Sequence, residues 1–283
     1  MFELRLENES GNIVDINDNV NYIVTHISGL NPPSASLFMA KSPNRKGSKY
    51  NGSTLNERQV VITIKILGDI EANRNALYPW IDTEQYCKIR YRNGLKNVYC
   101  EGVVQDCPID VFTDNEVVSI AIVCGNPYWH DFTAIAVDMA GILKQFTFPF
   151  AIDAAGIPFS TVQETVTANV FNSGAETGIK ITIRCNGDID NLTLYRVTDL
   201  TEKITLKTIL PKGWVIVIDT EGSPKTCKAY RPDGTVVNFM KYIDKGTTWL
   251  TLRKGSNQFG YTAESGRDNA EISIGFTNKY LGV

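Results

Sequence analysis

The stretch VVITIKIL, residues 60 to 67, decides the fold class. Six of its eight residues are β-branched, which is typical of a β-strand. The stretches around it show the same enrichment or a period-two alternation of apolar and polar residues. They read FELRLEN, NIVDI, YIVTHI, YCKIRYRN, VYCEGVVQDCPIDVF and EVVSIAIVC. The first half is therefore predicted to be a mostly antiparallel β domain.

One segment in this half has a helical pattern, GDIEANRNALYPW at residues 68 to 80. Leu77 and Trp80 lie at helical spacing, Asp69 is a suitable N-cap, and Pro79 falls where a helix would end. The sequence therefore predicts one short helix within the β domain.

The second half has a different organisation. Asn126-Pro127 marks a break, and we predict an N-terminal domain at residues 1–135 and a linker with a C-terminal domain at residues 136–283. From Glu164 onward short strands recur between turn sequences, a spacing typical of a β-sandwich. These turn sequences are NSGAETG, NGDIDN, PKG, EGSPK, RPDGT, KG and SGRDN.

The bulk composition excludes several classes of protein. The chain has 283 residues, a mass of 31.4 kDa and a formal net charge of −3, which gives no electrostatic basis for binding nucleic acid or an acidic membrane surface. Its apolar runs are shorter than the roughly 20 residues that span a bilayer. The N-terminus MFELRLENES alternates like a strand, so synthesis in a cytoplasm without a secretion signal is expected.

The six cysteines lie mostly within apolar stretches and include no C-x-x-C pair. We predict buried, reduced thiols that act as small hydrophobic side chains, in preference to disulfides or metal ligands. They are Cys87, Cys100, Cys107, Cys124, Cys185 and Cys227.

GSKYNGST, residues 47 to 54, comes close to a phosphate-binding P-loop, G-x-x-x-x-G-K-[ST]. Ser53 occupies the position of the lysine that contacts the phosphates, and the expected strand before the loop and helix after it are missing from the pattern. A Gly-, Ser- and Asn-rich loop between extended segments is the favoured interpretation.

Two other motifs are also incomplete and do not form a catalytic or metal-binding site. Asp219-Thr220 resembles the start of an aspartic protease motif, but Glu221 precedes the glycine and no second copy supplies a partner carboxylate. The calcium-loop spacing that starts at Asp15 has Val20 where glycine is required and His26 where glutamate is required. We predict no catalytic, cofactor-binding or metal-binding residue, and no enzyme.

A sugar-binding protein is the alternative function. A C-terminal sandwich could recognise cell-wall or receptor glycans through an exposed aromatic ring beside polar side chains. Trp214 and Trp249 lie in this half, although burial is the expectation for both.

Eleven stretches, in this order and spacing, resemble the phage tail family that includes the distal tail proteins of siphophages and prophages of Gram-positive bacteria. In the first half they are HISGLNPP, GSKYNGST, VVITIKILGD, LYPW, IRYRNGLKNVYCEGVV and CGNPYW. In the second they are PFAIDAAGIPF, VFNSGAETGIKITIRCNGDIDNLTL, LPKGWVIVIDT, WLTLRKGSNQFGYTAE and EISIGFTNKYLGV. The resemblance covers essentially the whole chain. It implies a ring-forming N-terminal β domain with a hairpin and one helix, joined to a galectin-like C-terminal β-sandwich.

The same resemblance implies a structural role in the virion, at the tail tip, without a cofactor. Six copies are expected to form a homo-hexameric ring, the baseplate hub, between the tail tube protein and the tail-associated tip protein. DNA would pass through the ring as cargo, and receptor-binding proteins could attach to its outer surface. Synthesis would take place in the bacterial host cytoplasm.

Within such a ring, we hypothesise that residues 34 to 58 form a projecting loop or hairpin in a belt between subunits, because strand edges offer unpaired backbone groups to a neighbour. Its basic residues could meet acids on the neighbouring copy or face the lumen. The predicted belt residues are Lys41, Arg45, Lys46, Lys49, Tyr50 and Asn51.

Overall fold

The computed structural model describes residues 2–43, 46–111, 113, 116–139, 142–144, 160–162 and 167–283. The chain divides into two compact units. Unit 1 comprises Met1–Phe132 and Lys279–Val283, and unit 2 comprises Thr133–Asn278. Unit 2 is thus an insertion into unit 1, whose last residues return after it. The predicted domain limits at 135 and 136 stay predictions.

Strands dominate both units. Those before residue 132 are β1 (Glu3–Asn8), β2 (Ile13–Asp15), β3 (Tyr22–Ser28), β4 (Ala35–Ala40), β5 (Lys49–Leu55), β6 (Arg58–Ile66), β7 (Tyr86–Arg92), β8 (Asn97–Asp106), β9 (Val117–Cys124) and β10 (Trp129–Asp131). Those after it are β11 (Ile135–Met139), β12 (Ile142–Lys144), β13 (Ser160–Val162), β14 (Thr167–Asn172), β15 (Thr177–Gly178), β16 (Lys180–Cys185), β17 (Ile189–Asp190), β18 (Thr193–Arg196), β19 (Asp199–Thr205), β20 (Ile209–Leu210), β21 (Val215–Asp219), β22 (Thr226–Tyr230), β23 (Val236–Asn238), β24 (Thr251–Leu252), β25 (Gly255–Thr262), β26 (Ala270–Phe276) and β27 (Lys279–Tyr280).

Unit 1 is built on one antiparallel sheet with the order β2-β1-β7-β8-β9-β6-β3. β10 joins this sheet by pairing with β8, and β27 pairs with β10. The decisive stretch at residues 60 to 67 lies in β6, where Val60, Ile62, Ile64 and Ile66 are buried in alternation with half-buried residues. The prediction of an antiparallel β domain is confirmed.

The predicted helix is α1, at Ile70–Ile81. The Asp69 carboxylate accepts a hydrogen bond from the Ala72 N–H at 3.1 Å, so Asp69 caps the helix as predicted. Leu77 and Ile81 are buried. Pro79 lies in the last turn and has no N–H to donate to the carbonyl four residues earlier, and the helix ends two residues after it. Within the described residues α1 is the one α-helix; two short 3-10 helices lie at Met240–Tyr242 and Arg267–Asn269.

One strand ends earlier than its sequence pattern predicts. The pattern runs from residue 98 to residue 112, whereas β8 ends at Asp106. Pro108 has no N–H to donate, so a ladder cannot continue through it. Beyond this proline the chain returns to the sheet in a single bridge, between Ile109 and Val118.

Unit 2 is a β-sandwich, as predicted. Its larger sheet has the order β11-β26-β16-β21-β22-β23 and its smaller sheet the order β14-β25-β18-β19. Ile181, Ile216 and Ile272 of the larger sheet share one hydrophobic core with Leu194 and Phe259 of the smaller sheet. The two sheets therefore bury facing sides, which is the arrangement that defines a sandwich.

The six cysteines are free thiols, and all but the half-buried Cys107 are buried. Burial raises the pKa of the Cys87 thiol to about 12 and that of Cys227 to about 12. These side chains therefore stay protonated at neutral pH and pack as small hydrophobes. Among the described residues, no helix is long and apolar enough to cross a membrane.

Asp18 holds the turn that leads into β3, and its charge makes unit 1 sensitive to acid. Its Oδ1 accepts hydrogen bonds from the N–H groups of Val20, Asn21 and Tyr22 at 2.8 to 2.9 Å. Burial acts to raise the pKa of Asp18, but these donors outweigh it, so the pKa lies below its ordinary value of 3.8.

We therefore expect Asp18→Ala to lower the free energy of unfolding by about 1–2 kcal/mol at neutral pH. Because the folded-state pKa is depressed, the wild-type advantage is complete above the ordinary value of 3.8 and is lost as the pH falls through the folded-state pKa. Urea unfolding of both proteins from about pH 7 to about pH 3 measures this difference. A difference that stays constant over this range would contradict the assignment.

Candidate functional site

The predicted belt region forms a β-hairpin, residues 35–55, hereafter the hairpin. β4 and β5 pair antiparallel from Ala35↔Leu55 to Ala40↔Lys49. The register shifts between Phe38 and Met39, which leaves Asn51 as the extra residue of a bulge. Within the described residues these two strands pair only with each other. A lone two-stranded hairpin is marginally stable in water, so this one needs further contacts.

One face of the hairpin is apolar and uncovered. Residues that are opposite each other in an antiparallel pair point to the same side, which places Leu37, Met39, Tyr50 and Leu55 together. Their exposed fractions are 61%, 50%, 56% and 39%. Phe38, on the other face, is also exposed. Large apolar side chains grouped in this way are typical of a surface that binds another molecule.

The end of the hairpin is basic. Lys41, Lys46 and Lys49 are exposed there, and none of them forms an ion pair with a described residue. Tyr50 and Asn51 lie in β5, and the Tyr50 hydroxyl is 2.8 Å from the Ser53 hydroxyl. Arg45 lies outside the described residues. The hairpin thus combines an apolar face with a positively charged end.

The base of the hairpin is closed by hydrogen bonds between Ser34 and Asn56. The Asn56 N–H donates to the Ser34 carbonyl at 3.0 Å, and its Nδ2 donates to the Ser34 hydroxyl at 3.0 Å. The Ser36 hydroxyl donates to Asn56 Oδ1 at 2.7 Å. These contacts fix the point at which the hairpin leaves unit 1.

Beside this base, the guanidinium of Arg58 is buried and donates to four backbone carbonyls. Burial lowers the pKa of Arg58 below its ordinary value, although the group remains a cation at any physiological pH. Its guanidinium carbon lies 5.5 Å from the centroid of the Trp129 ring. The accepting carbonyls belong to Gly29, to Asn31 at 2.7 Å, to Pro127 at 2.8 Å and to Leu281 at 2.6 Å.

The last residues of the chain pack at the same place. The Val283 N–H donates to the Leu30 carbonyl at 3.1 Å, and Gly282 lies against Pro32. Arg58 therefore joins the segment before the hairpin, the strand after it and the returning C-terminus.

Sequence reasoning left residues 34 to 58 open as a projecting loop or hairpin, and it missed Arg58. The loop interpretation of GSKYNGST was wrong in part, because Lys49–Leu55 is a strand, and the stretch before it contains β4. Every residue of β4 is exposed, so neither strand shows the buried alternation that reveals a strand in sequence. Arg58 was missed because its acceptors come from four distant segments, and only the presence of an arginine at the start of an apolar strand hinted at it.

The tryptophans of the alternative function are packed against the core of unit 2. Trp214 and Trp249 are both half-buried. The Trp214 ring meets Phe239 edge to face at 6.1 Å and lies 5.0 Å from the Arg231 guanidinium. Among the described residues, no group of three side chains is arranged to hold a metal ion.

One family model and several solved structures are similar to this chain. Residues 172–280 match the model of the siphovirus-type tail component, C-terminal domain. The crystal structure of the Dit protein of phage SPP1 superposes with a TM-score of 0.70 at 12% identity, covering 98% of this chain and 99% of that one. A chain of the phage P2 baseplate in its activated conformation gives a TM-score of 0.52 at 11% identity, with full coverage of both chains. No curated protein sequence matches the chain.

The class to which the fold of the chain and the matched residues 172–280 are similar is that of the siphovirus-type tail components. Within that class the chain resembles the distal tail proteins, as its sequence predicted, and this resemblance is confirmed.

Proposed function

We propose that the chain is the distal tail protein of a siphophage or prophage tail, a structural protein that assembles into a homo-hexameric ring. The ring would join the tail tube protein to the tail-associated tip protein, let DNA pass as cargo, and carry receptor-binding proteins on its outside. The protein would be made in the bacterial host cytoplasm and reside at the virion tail tip.

The observation that carries this proposal is the hairpin. A ring is held by a heterologous interface, in which one patch of each subunit meets a different patch of the next. A projecting element with an exposed apolar face is suited to such an interface, because a neighbouring copy can cover that face. Six subunits, and the named tail partners, come from the resemblance to distal tail proteins.

The relatives and the charge agree with this role. The structure of the SPP1 protein is described as a paradigm of the hub of the adsorption apparatus in phages that infect Gram-positive bacteria. The net charge of −3 would give DNA little electrostatic reason to stay bound, which suits a channel through which it must pass.

Native mass spectrometry with negative-stain imaging of the same sample tests the proposal. We expect a species near six times 31.4 kDa, about 188 kDa, seen as a ring with a central hole. The double variant Leu37→Ser/Met39→Ser is expected to reduce this species sharply, because it removes apolar area from the hairpin.

A matched control is Phe171→Ser/Leu200→Ser, which removes two similarly exposed apolar side chains from unit 2 and should leave the ring intact. A wild-type protein that stays monomeric, both alone and when produced together with the tube and tip proteins, would refute the ring.

A further inference from the structure

We infer that unit 2 has a binding site for a neutral sugar ring on the outer face of its smaller sheet, hereafter the saccharide site. The outer face is the side of β14, β25, β18 and β19 that points away from the shared core. The site uses neither of the two tryptophans of this unit, and it does not depend on the proposed ring of subunits.

Three threonines form one row across the outer face. Thr193 of β18 is paired with Thr205 of β19 on one side and with Thr262 of β25 on the other. Leu194 and Tyr261, their neighbours along the chain, are buried in the core, so the threonine side chains point outward. The Thr193 and Thr205 hydroxyl oxygens are 3.1 Å apart. This threonine row offers hydroxyl groups that both donate and accept hydrogen bonds.

The next row of the same face contains an aromatic ring. Tyr195 lies two residues after Thr193, which places it on the same side of the sheet, and it is paired with Gly260. A Cβ at Gly260 would lie 2.8 Å from Cζ and from the hydroxyl oxygen of Tyr195, so the ring leans across the bare backbone of β25. Tyr195 is half-buried, and part of its ring is therefore accessible. It offers an apolar surface on which the C–H face of a sugar ring can stack.

The threonine row lines a cavity of about 340 Å³, which is within the range of about 300–1,000 Å³ of small-molecule sites. Asn191, Lys207, Ala263 and Glu264 complete its described lining. The Lys207 ammonium is held by the Asp244 carboxylate at 2.7 Å. Within the described part of the chain, neither the Asn191 amide group nor the Glu264 carboxylate has a hydrogen-bond or ion-pair partner. Both groups are thus available to a ligand.

These groups fit a neutral pyranose better than an anion or an apolar ligand. A sugar ring combines an apolar face for Tyr195 with hydroxyl groups for the threonine row, Asn191 and Glu264. Among the described lining residues Lys207 is the one cation, and Asp244 already neutralises it, while Glu264 would repel an anion. An apolar ligand would leave the polar groups of the cavity without hydrogen bonds.

Saturation-transfer NMR of the full chain with a panel of sugars tests the site. The panel contains glucose, galactose, mannose and N-acetylglucosamine. We expect at least one of them to bind with a Kd of about 1 mM, because a single sugar ring has few atoms to contribute. Glycerol is the ligand control, since it has hydroxyl groups but no ring face, and it should give no signal.

Two variants remove the aromatic and the polar part of the site separately. They are Tyr195→Ala and Thr193→Val/Thr262→Val, the second of which keeps β-branched side chains in both strands. We expect each to weaken binding of the sugar by about tenfold. The matched controls are Tyr230→Ala and Thr182→Val, on β22 and β16 of the larger sheet, and both should bind like the wild type.

Circular dichroism establishes that each variant is folded, and the threonine variant decides the question if the Tyr195 variant is not. A panel in which no sugar binds, or a sugar that both site variants bind as tightly as the wild type, would overturn the saccharide site. Ring assembly without sugar binding would leave the proposed function standing, and sugar binding by a protein that forms no ring would leave the saccharide site standing.

Co-sedimentation with isolated bacterial cell walls then identifies the source of the sugar. Binding to the walls that the free sugar inhibits, and that Tyr195→Ala weakens, would support a surface glycan as the ligand. Binding of the free sugar without binding to the walls would support a soluble saccharide at the same site.

Discussion

Arg58→Met is expected to lower the free energy of unfolding of unit 1 by about 3–4 kcal/mol. The substitution keeps the length of the side chain but removes donors to four backbone carbonyls around the buried guanidinium. Each buried acceptor left without a donor costs about 1 kcal/mol or more. Removing the buried charge offsets part of this loss, since its desolvation opposed folding.

Lysine should not rescue this position. Its ammonium is a single point charge, whereas the four carbonyls surround a planar guanidinium that reaches them from three nitrogens. We therefore expect Arg58→Lys to lose at least about half as much stability as the methionine variant. The comparison separates the need for a cation from the need for the guanidinium geometry.

Urea unfolding followed by tryptophan fluorescence measures both variants, because Trp129 lies against Arg58 and reports on unit 1. The matched control is Arg92→Met, an exposed arginine on β7 whose nearest carboxylate oxygen, on Glu3, is 3.7 Å away. That change should stay within about 0.5 kcal/mol. An Arg58→Met protein as stable as this control would refute the structural role of Arg58.

The sequence was informative wherever a strand or helix buries one side. The alternation in β6 and the Asp69 cap of α1 are local patterns, and both were predicted within a few residues of their observed limits. The hairpin has no buried side in a single copy, so its strands carry no such pattern.

In the candidate site, too, the sequence revealed local features and did not reveal those that depend on tertiary structure. The basic residues near the hairpin end were identified from sequence, because exposed lysines in a polar segment are visible without a fold. The hydrogen bonds around Arg58 were not predicted, since the accepting carbonyls of Gly29, Pro127 and Leu281 are far apart in the chain and meet only in the folded unit. Sequence can therefore indicate exposed charges, whereas a buried set of contacts between distant segments depends on the tertiary structure.

Gly266→Ala is expected to lower the free energy of unfolding of unit 2 by about 3 kcal/mol or more. Gly266 has φ +69°, in the left-handed region that favours glycine, and a Cβ there would lie 2.0 Å from the Asp188 carbonyl oxygen. The neighbouring backbone cannot easily move away. Asp190 N–H donates to the Ser265 carbonyl at 3.0 Å, and Asn269 Nδ2 donates to the Asp188 carbonyl at 2.9 Å.

Gly234→Ala is the control that separates the cost of a left-handed backbone from the cost of a steric contact. Gly234 has φ +83°, but no atom beyond its two chain neighbours lies within 4 Å of its ideal Cβ position, so alanine there meets only the backbone cost of about 1 kcal/mol. The excess loss in Gly266→Ala then measures the steric contact with Asp188. Because the units have separate hydrophobic cores, we expect the unfolding transition of unit 2 in urea to shift while that of unit 1 keeps its midpoint. Equal losses of unfolding free energy in the two alanine variants would mean that the backbone at Asp188 moves away from the new methyl group at no cost. The contact between residue 266 and the Asp188 carbonyl would then not affect stability.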